Sequence, residues 1–134
     1  MNPFKRKQNQ QPLRTEKTDY PYMTFVITER GMFLLKEKTR ALIISERILK
    51  SWCVRLVPTT ESAIKHYVIS GKLGFRDGTL INNMGDGKIY LIAQNKRRQI
   101  TSPDAFEKYG LDQSTMIWVS AEEAELQPLG EVLS

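Results

Sequence analysis

The sequence has little of what most active sites are built from. Its 134 residues include one cysteine, Cys53, and one histidine, His66. A single cysteine excludes an internal disulfide, and burial as a small apolar residue behind Trp52 is the role expected for Cys53. One His and one Cys supply too few ligands for a zinc site, so neither a metal nor a cofactor is expected. His66 has no Ser, Cys or Asp at a spacing that marks a catalytic triad, and it reads as an ordinary helix-end residue. No apolar run reaches the roughly 18 residues that a membrane helix needs. The charged N-terminus is not followed by the apolar stretch of a secretory signal, so the chain is expected to be made and kept in a cytoplasm.

The charge is mildly basic, net +5 with a pI near 9.4, short of a dedicated nucleic-acid protein. It is unevenly placed. Lys5, Arg6, Lys7, Arg14 and Lys17 crowd the first 19 residues, whereas Glu122, Glu123, Glu125 and Glu131 close the chain without a base among them. Residues 1–19 are polar, with Pro3 and Pro12 and only Phe4 and Leu13 as sizeable apolar side chains after Met1. They are expected to form a flexible basic arm that orders against a partner.

What is present is a pattern that occurs twice. Residues 33–52 lie over residues 90–109 without a gap. Phe33 falls on Tyr90, Arg40 on Arg97, Ile43 on Ile100, Ser45 on Ser102, Leu49 on Phe106 and Trp52 on Tyr109. Further on, the stretch from Val57 to Ile64 echoes that from Val119 to Leu126. Each unit is expected to run β-β-β-α-β-α, an α+β fold of antiparallel hairpins and short helices. Its boundaries are residues 20–73 and 74–134, with 67–77 as the connector.

The local signals are specific. Ser45 sits where an N-cap belongs, and Ser102-Pro103-Asp104 is a strong helix start. Ser120 with Glu123 has capping-box spacing, and Gly110 is a natural helix stop. A tight turn at Gln94-Asn95-Lys96 favours positive φ. Strands are expected over residues 54–57, 78–81 and 115–120. A duplicated unit favours surface and assembly over one asymmetric catalytic pocket.

The second unit carries Asp77-Gly78-Thr79-Leu80, then Tyr90-Leu91-Ile92, then Lys96-Arg97-Arg98-Gln99-Ile100, Ser102, Phe106, Gly110, Val119-Ser120 and Pro128-Leu129-Gly130. This series resembles a tandem repeat of bacterial cell-surface and secreted proteins, expected also in bacteriophage virion proteins. Asn95 stands where that repeat has Gly. The first unit lacks both the turn glycine and the opening D-G-T-L series. The resemblance implies an accessory module and no catalyst.

Several motifs carry competing readings. Lys96, Arg97 and Arg98 at a hairpin tip would meet phosphate, an anionic wall polymer or an acidic protein face, or form a solvated turn. Lys5, Arg6 and Lys7 lack the interleaved aromatics of a single-strand binder, and Phe4, Leu13 and Arg14 fit an arm lying across a neighbouring subunit equally well. Glu122, Glu123 and Glu125 resemble paired glycosidase carboxylates but lie where acids favour a helix N-terminus. Asp77, Asn82, Asn83 and Asp86 do not fit a calcium loop. Phe33, Trp52, Tyr90, Phe106, Tyr109 and Trp118 are expected in the core, and Tyr20, Tyr22 and Tyr67 outside it.

The expectation is a non-enzymatic structural or adaptor protein of a large assembly, a virion component put together in the host cytoplasm. Its partners would be other protein subunits, copies of itself included. They would be engaged through Phe4, Lys5, Arg6, Lys7, Leu13 and Arg14, through Lys96, Arg97 and Arg98, and through Glu122, Glu123 and Glu125. The alternative is a module that binds cell-wall glycan or another surface polymer, and nucleic acid is the least favoured partner.

Overall fold

The computed structural model describes residues 13–134. The elements are β1 (Thr24–Thr28), β2 (Gly31–Leu35), β3 (Thr39–Ile43), α1 (Glu46–Trp52), β4 (Val57–Pro58), α2 (Glu61–Ile64) and β5 (Val68–Lys72). They continue with β6 (Leu80–Asn83), β7 (Lys88–Ala93), β8 (Lys96–Gln99), α3 (Asp104–Lys108), a 3₁₀ turn (Gln113–Thr115), β9 (Ile117–Val119) and α4 (Ala121–Ala124). Strands and short helices alternate, so the fold is α+β, as expected. The chain forms two compact units. One holds residues 13–41 and Arg55–Ser70. The other holds Leu42–Val54 and Gly71–Ser134, so α1 belongs to the second.

In the first sheet the strand order is β4-β1-β2-β3-β5. β1 and β2 pair antiparallel with Val26 opposite Phe33, and β4 joins β1 in parallel with Val57 opposite Val26. β-Branched and aromatic residues favour this pleated surface. Val26, Phe33, Leu34 and Leu35 are buried, as are Ala63, Ile64 and Tyr67 of the α2 region. Each large side chain among them contributes about 1.5–3 kcal/mol by leaving water. Thr60 caps α2 by accepting the Ala63 N–H at 3.2 Å.

The second sheet repeats the succession, in the order β8-β7-β6-β9. β6 and β7 pair antiparallel with Ile81 opposite Tyr90, and β9 joins β6 in parallel with Ile117 opposite Ile81. β7 turns into β8 through Gln94 and Asn95, at φ 53° and 61°. That two-residue turn suits the twist of a hairpin, and Asn95 fills the positive-φ role expected of it. Beyond β8, parallel bridges pair Arg97 with Leu129 and Ile100 with Leu133. Leu80, Ile100, Ala105 and Leu133 form a buried cluster, with Phe106, Leu111 and Met116 packed against it.

Several expectations need correction. Residues 67–77 are not only a connector, because β5 forms within them. Val68 N–H donates to Lys38 O and Leu73 N–H to Leu42 O, so β5 runs parallel to β3. Part of the expected loose arm is fixed. Thr60 Oγ donates to Arg14 O, Ser62 Oγ to Thr15 O, and Thr18 N–H to Ala63 O. Cys53 is exposed, not buried. It ends α1 in the left-handed region at φ 53°, the place Gly110 takes after α3 at φ 65°.

The strand expected over 54–57 shortens to Val57–Pro58, and that over 115–120 to Ile117–Val119. Strand β6 runs Leu80–Asn83 instead of ending at Ile81. On β9 Ile117 and Val119 turn inward, so the alternation leaves Trp118 57 % exposed. Tyr109, at the end of α3, is exposed with Lys108 over its ring, whereas Tyr67 is buried. Matching caps also place Thr60 with Ser120, two residues away from the register drawn from sequence.

Candidate interaction surfaces

Each sheet places an arginine over an aromatic ring. Arg40 lies over Phe33 with its guanidinium carbon 4.7 Å from the ring centre, and Arg97 lies over Tyr90 at 5.5 Å. The arginine comes from the third strand of its meander and the ring from the second, opposite partners of the kind the sequence overlay paired. Arg40 Nε donates to Tyr67 O at 3.0 Å, and Arg97 Nη1 donates to Gln127 O. These carbonyls lie just beyond α2 and α4, so each arginine ties a sheet to the end of a helix.

The counter-charges differ. Glu61 receives Arg40 Nη1 on both oxygens at 2.9 and 2.8 Å, plus the Thr28 hydroxyl at 3.0 Å. Burial by itself would raise the Glu61 carboxyl, but those hydrogen bonds and the charges of Arg40 and Arg30 outweigh it and hold it below the usual range. Around Arg97, Tyr90 donates its hydroxyl to Asp86 at 2.7 Å. Burial and then the Asp86 carboxylate push the Tyr90 phenol upward. Arg97 Nε is buried without a hydrogen-bond partner among the described residues.

Of the predicted contact residues, Phe4, Lys5, Arg6 and Lys7 lie outside the described residues. Leu13 is exposed, and the backbone of Arg14 is held by α2. Lys96 and Arg98 line a shallow recess with Ala93, Gln94, Gly130 and Glu131. Within it Arg98 is committed, donating from Nε to Glu131 O at 3.0 Å. Arg97 belongs to the ring stack already described, so the three residues of the basic tip face three different tasks.

The acidic residues separate in the same way. Glu122 and Glu125 are exposed. Glu123 is buried, receiving Ser120 N–H at 2.9 Å, the Ser45 hydroxyl and Arg47 Nη1 at 3.0 Å. Burial raises this carboxyl too, yet the backbone bond from Ser120 and those of Ser45 and Arg47 hold it low. The capping box is as the spacing predicts, and Glu123 serves it from within the second unit rather than on a surface.

Two features escaped sequence reasoning. Gln127 is 1 % exposed; its Oε1 accepts Phe75 N–H at 3.0 Å and its Nε2 donates to Phe75 O at 2.7 Å. A glutamine next to Pro128 gives no sequence signal of burial. β5 is the other. All five residues of this edge strand are exposed, Val68 by 67 % and Ile69 by 58 %. In the second unit Leu129 and Val132, alongside β8, are similarly exposed.

His66 meets Asp19 at 2.9 Å through Nε2, and its ring tilts against Tyr67. No group of three or more His, Cys, Asp or Glu among the described residues is placed to hold a metal ion. No helix among them is long and apolar enough to cross a membrane. Compared with known proteins, the chain matches no protein family and no curated protein.

Proposed function

We propose that this chain is a non-enzymatic structural or adaptor subunit of a large assembly, built from two copies of one module. The observation that carries this reading is the edge of β5, which no strand among the described residues covers. Unpaired N–H and C=O groups on an edge strand are a template for another chain, and β-branched Val68 and Ile69 stand bare along it. Leu129 and Val132 repeat the feature beside β8. Natural edges of this kind are blunted by charge or covered, and a subunit that is covered by its neighbours needs no such protection.

The virion of a bacteriophage is the setting suggested by the resemblance of residues 77–130 to the tandem surface repeat. Partners would be other protein subunits, including copies of this chain, with Phe4, Lys5, Arg6 and Lys7 among the contact residues. Mass in solution tests the reading, for the full chain and for a variant lacking residues 1–12, each alone and mixed with a lysate of its source. Discrete assemblies that need residues 1–12 support it. A chain that remains monomeric in every mixture sinks it.

A second reading is favoured by the recess beside Lys96, whose ammonium makes no hydrogen bond with the described residues. There the module would hold an anionic cell-wall polymer. Co-sedimentation with purified cell walls, abolished by Lys96→Ala, is the result that reading requires.

A further inference from the structure

We infer that the open face of the second sheet, from Trp118 through Asn82 to the cleft beside α3, is a binding site for a neutral glycan. The inference is independent of the assembly reading, and a subunit of an assembly is free to carry such a site.

The starting point is one row of side chains. Parallel pairing sets Asn82 of β6 opposite Trp118 of β9, and antiparallel pairing sets it opposite Ile89 of β7. Ile100 follows, its N–H donating to Ile89 O at 2.9 Å. Residues directly opposite one another share a face, so the four stand in line across the sheet, over about 14 Å at the ordinary strand spacing. Trp118 is exposed at one end. At the other, Ile89 and Ile100 pass into an open cleft shared with Phe106, Thr101, Ser102 and Gln113, and no charged side chain lines it.

Asn82 lies in the middle of the row. It is 8 % exposed, and its Oδ1 is buried without a hydrogen-bond partner among the described residues. An acceptor left in that state destabilises a fold by about 1–3 kcal/mol, and such groups are rare enough in native proteins to require a reason. The first module shows that the fold does not need the amide. There the same pairings hold Ile27 between Pro58 and Met32, and Ile27 is 39 % exposed. The first sheet thus leaves an aliphatic side chain bare where the second shields an amide beside a bare indole.

The chemistry selects a sugar. An orphan acceptor calls for a donor, and an exposed indole for an apolar surface laid against its ring. A pyranose has both: hydroxyls at its edge and a face of C–H groups. The other polar side chains of the cleft, Thr101, Ser102 and Gln113, donate and accept alike, as sugar hydroxyls do. The uncharged lining offers nothing to an ionic ligand. A peptide would seek a strand edge, where its backbone is answered, and this row lies on a sheet face. Asn82 Oδ1 is closed to water in the free chain, so binding includes a turn of the adjoining Trp118 ring that opens it.

The test is a titration of the full-length chain with cellohexaose, maltohexaose and chitohexaose. Affinity is measured by calorimetry, and the indole N–H signals of the two tryptophans are followed by NMR. At least one glycan should move the Trp118 signal to saturation and leave that of Trp52 in place. Trp118→Ala, a change at an exposed side chain, should abolish binding. Asn82→Leu should weaken it about tenfold, the loss of one hydrogen bond, without lowering the thermal midpoint. A Trp118 signal that answers none of the three glycans overturns the site, as does binding indifferent to both substitutions. An equal response to a neutral peptide of glycine, serine and proline overturns the choice of a sugar. A midpoint that falls with Asn82→Leu shows that the amide serves the fold, and overturns its assignment to a ligand. The oligomeric state of the chain decides none of these outcomes.

Discussion

The two arginine–ring stacks solve one problem with different chemistry. In the first unit, Arg40 over Phe33 is neutralised by a carboxylate that begins the following helix, Glu61. In the second, Arg97 over Tyr90 is answered by a hydroxyl and by Asp86 from the β6–β7 turn. Position 61 corresponds to Ala121 once the caps Thr60 and Ser120 are aligned, so the second helix has no acid to offer there. The geometry of the arginine and of the carbonyl it reaches is kept, while the source of negative charge is free to move. A buried cation must be compensated, but the fold does not dictate from where.

This contrast can be broken by removing each arginine. Arg40→Met leaves the half-buried Glu61 without its counter-charge and should cost about 2–4 kcal/mol in denaturant unfolding. Arg97→Met leaves Tyr90 and Asp86 paired with each other and should cost only about 1–2 kcal/mol. Equal losses would show that the ion pair adds nothing over the hydroxyl. Next in size is Gly74→Ala. A Cβ there would run into the side-chain amide of Gln127, and overpacking of this kind costs about 1–3 kcal/mol. A neutral result by the same measurement would mean that the Gln127 clamp swings aside freely.

Acid sharpens the comparison further. Glu61 and Glu123 titrate lower in the folded chain than in the unfolded one. Their stabilisation is therefore complete above the unfolded carboxyl range and is lost as pH falls through the lower folded values. Unfolding midpoints measured from pH 7 down to pH 3 should drop, and Glu61→Gln should flatten the drop. A slope unchanged by that substitution would assign the acid sensitivity elsewhere. The smallest effect is expected at Cys53. Cys53→Gly relieves a left-handed side chain and should gain about 0.5 kcal/mol. A loss would mean the thiol contributes a contact of its own.

Much of the framework could be read from residues alone. Ser45, Ser120 with Glu123, and Gly110 mark helix ends through bonds that span at most four residues, so their chemistry is local. Phe33 and Tyr90, like Arg40 and Arg97, take matching places because in both sheets the guanidinium lies over the ring and reaches a carbonyl just beyond a helix. What failed depended on distance. β5 buries nothing, and its parallel partner β3 lies some thirty positions earlier, so no periodicity announces it. The segment at 14–18 is held through backbone carbonyls and an amide, which sequence does not display. The register of the later helices slipped because buried Glu123 corresponds to Ala63, and an acid and an alanine share no pattern. Of the proposed contact residues, the sequence placed Glu122 and Glu125 on the surface but could not tell that Glu123 turns inward.

Gln127 stands in for a strand. Its planar amide offers Phe75 the donor and acceptor that a neighbouring backbone would, though residues 73–76 belong to no sheet. In deuterated water the Phe75 amide should therefore exchange as slowly as one inside a ladder, although no neighbouring strand holds it. Hydrolysis of that one side-chain amide to a carboxylate would turn the donor facing the Phe75 carbonyl into a negative charge. The clamp thus doubles as a clock: a molecule that has aged at Gln127 would reveal itself by the sudden exchange of a hydrogen fifty-two residues away.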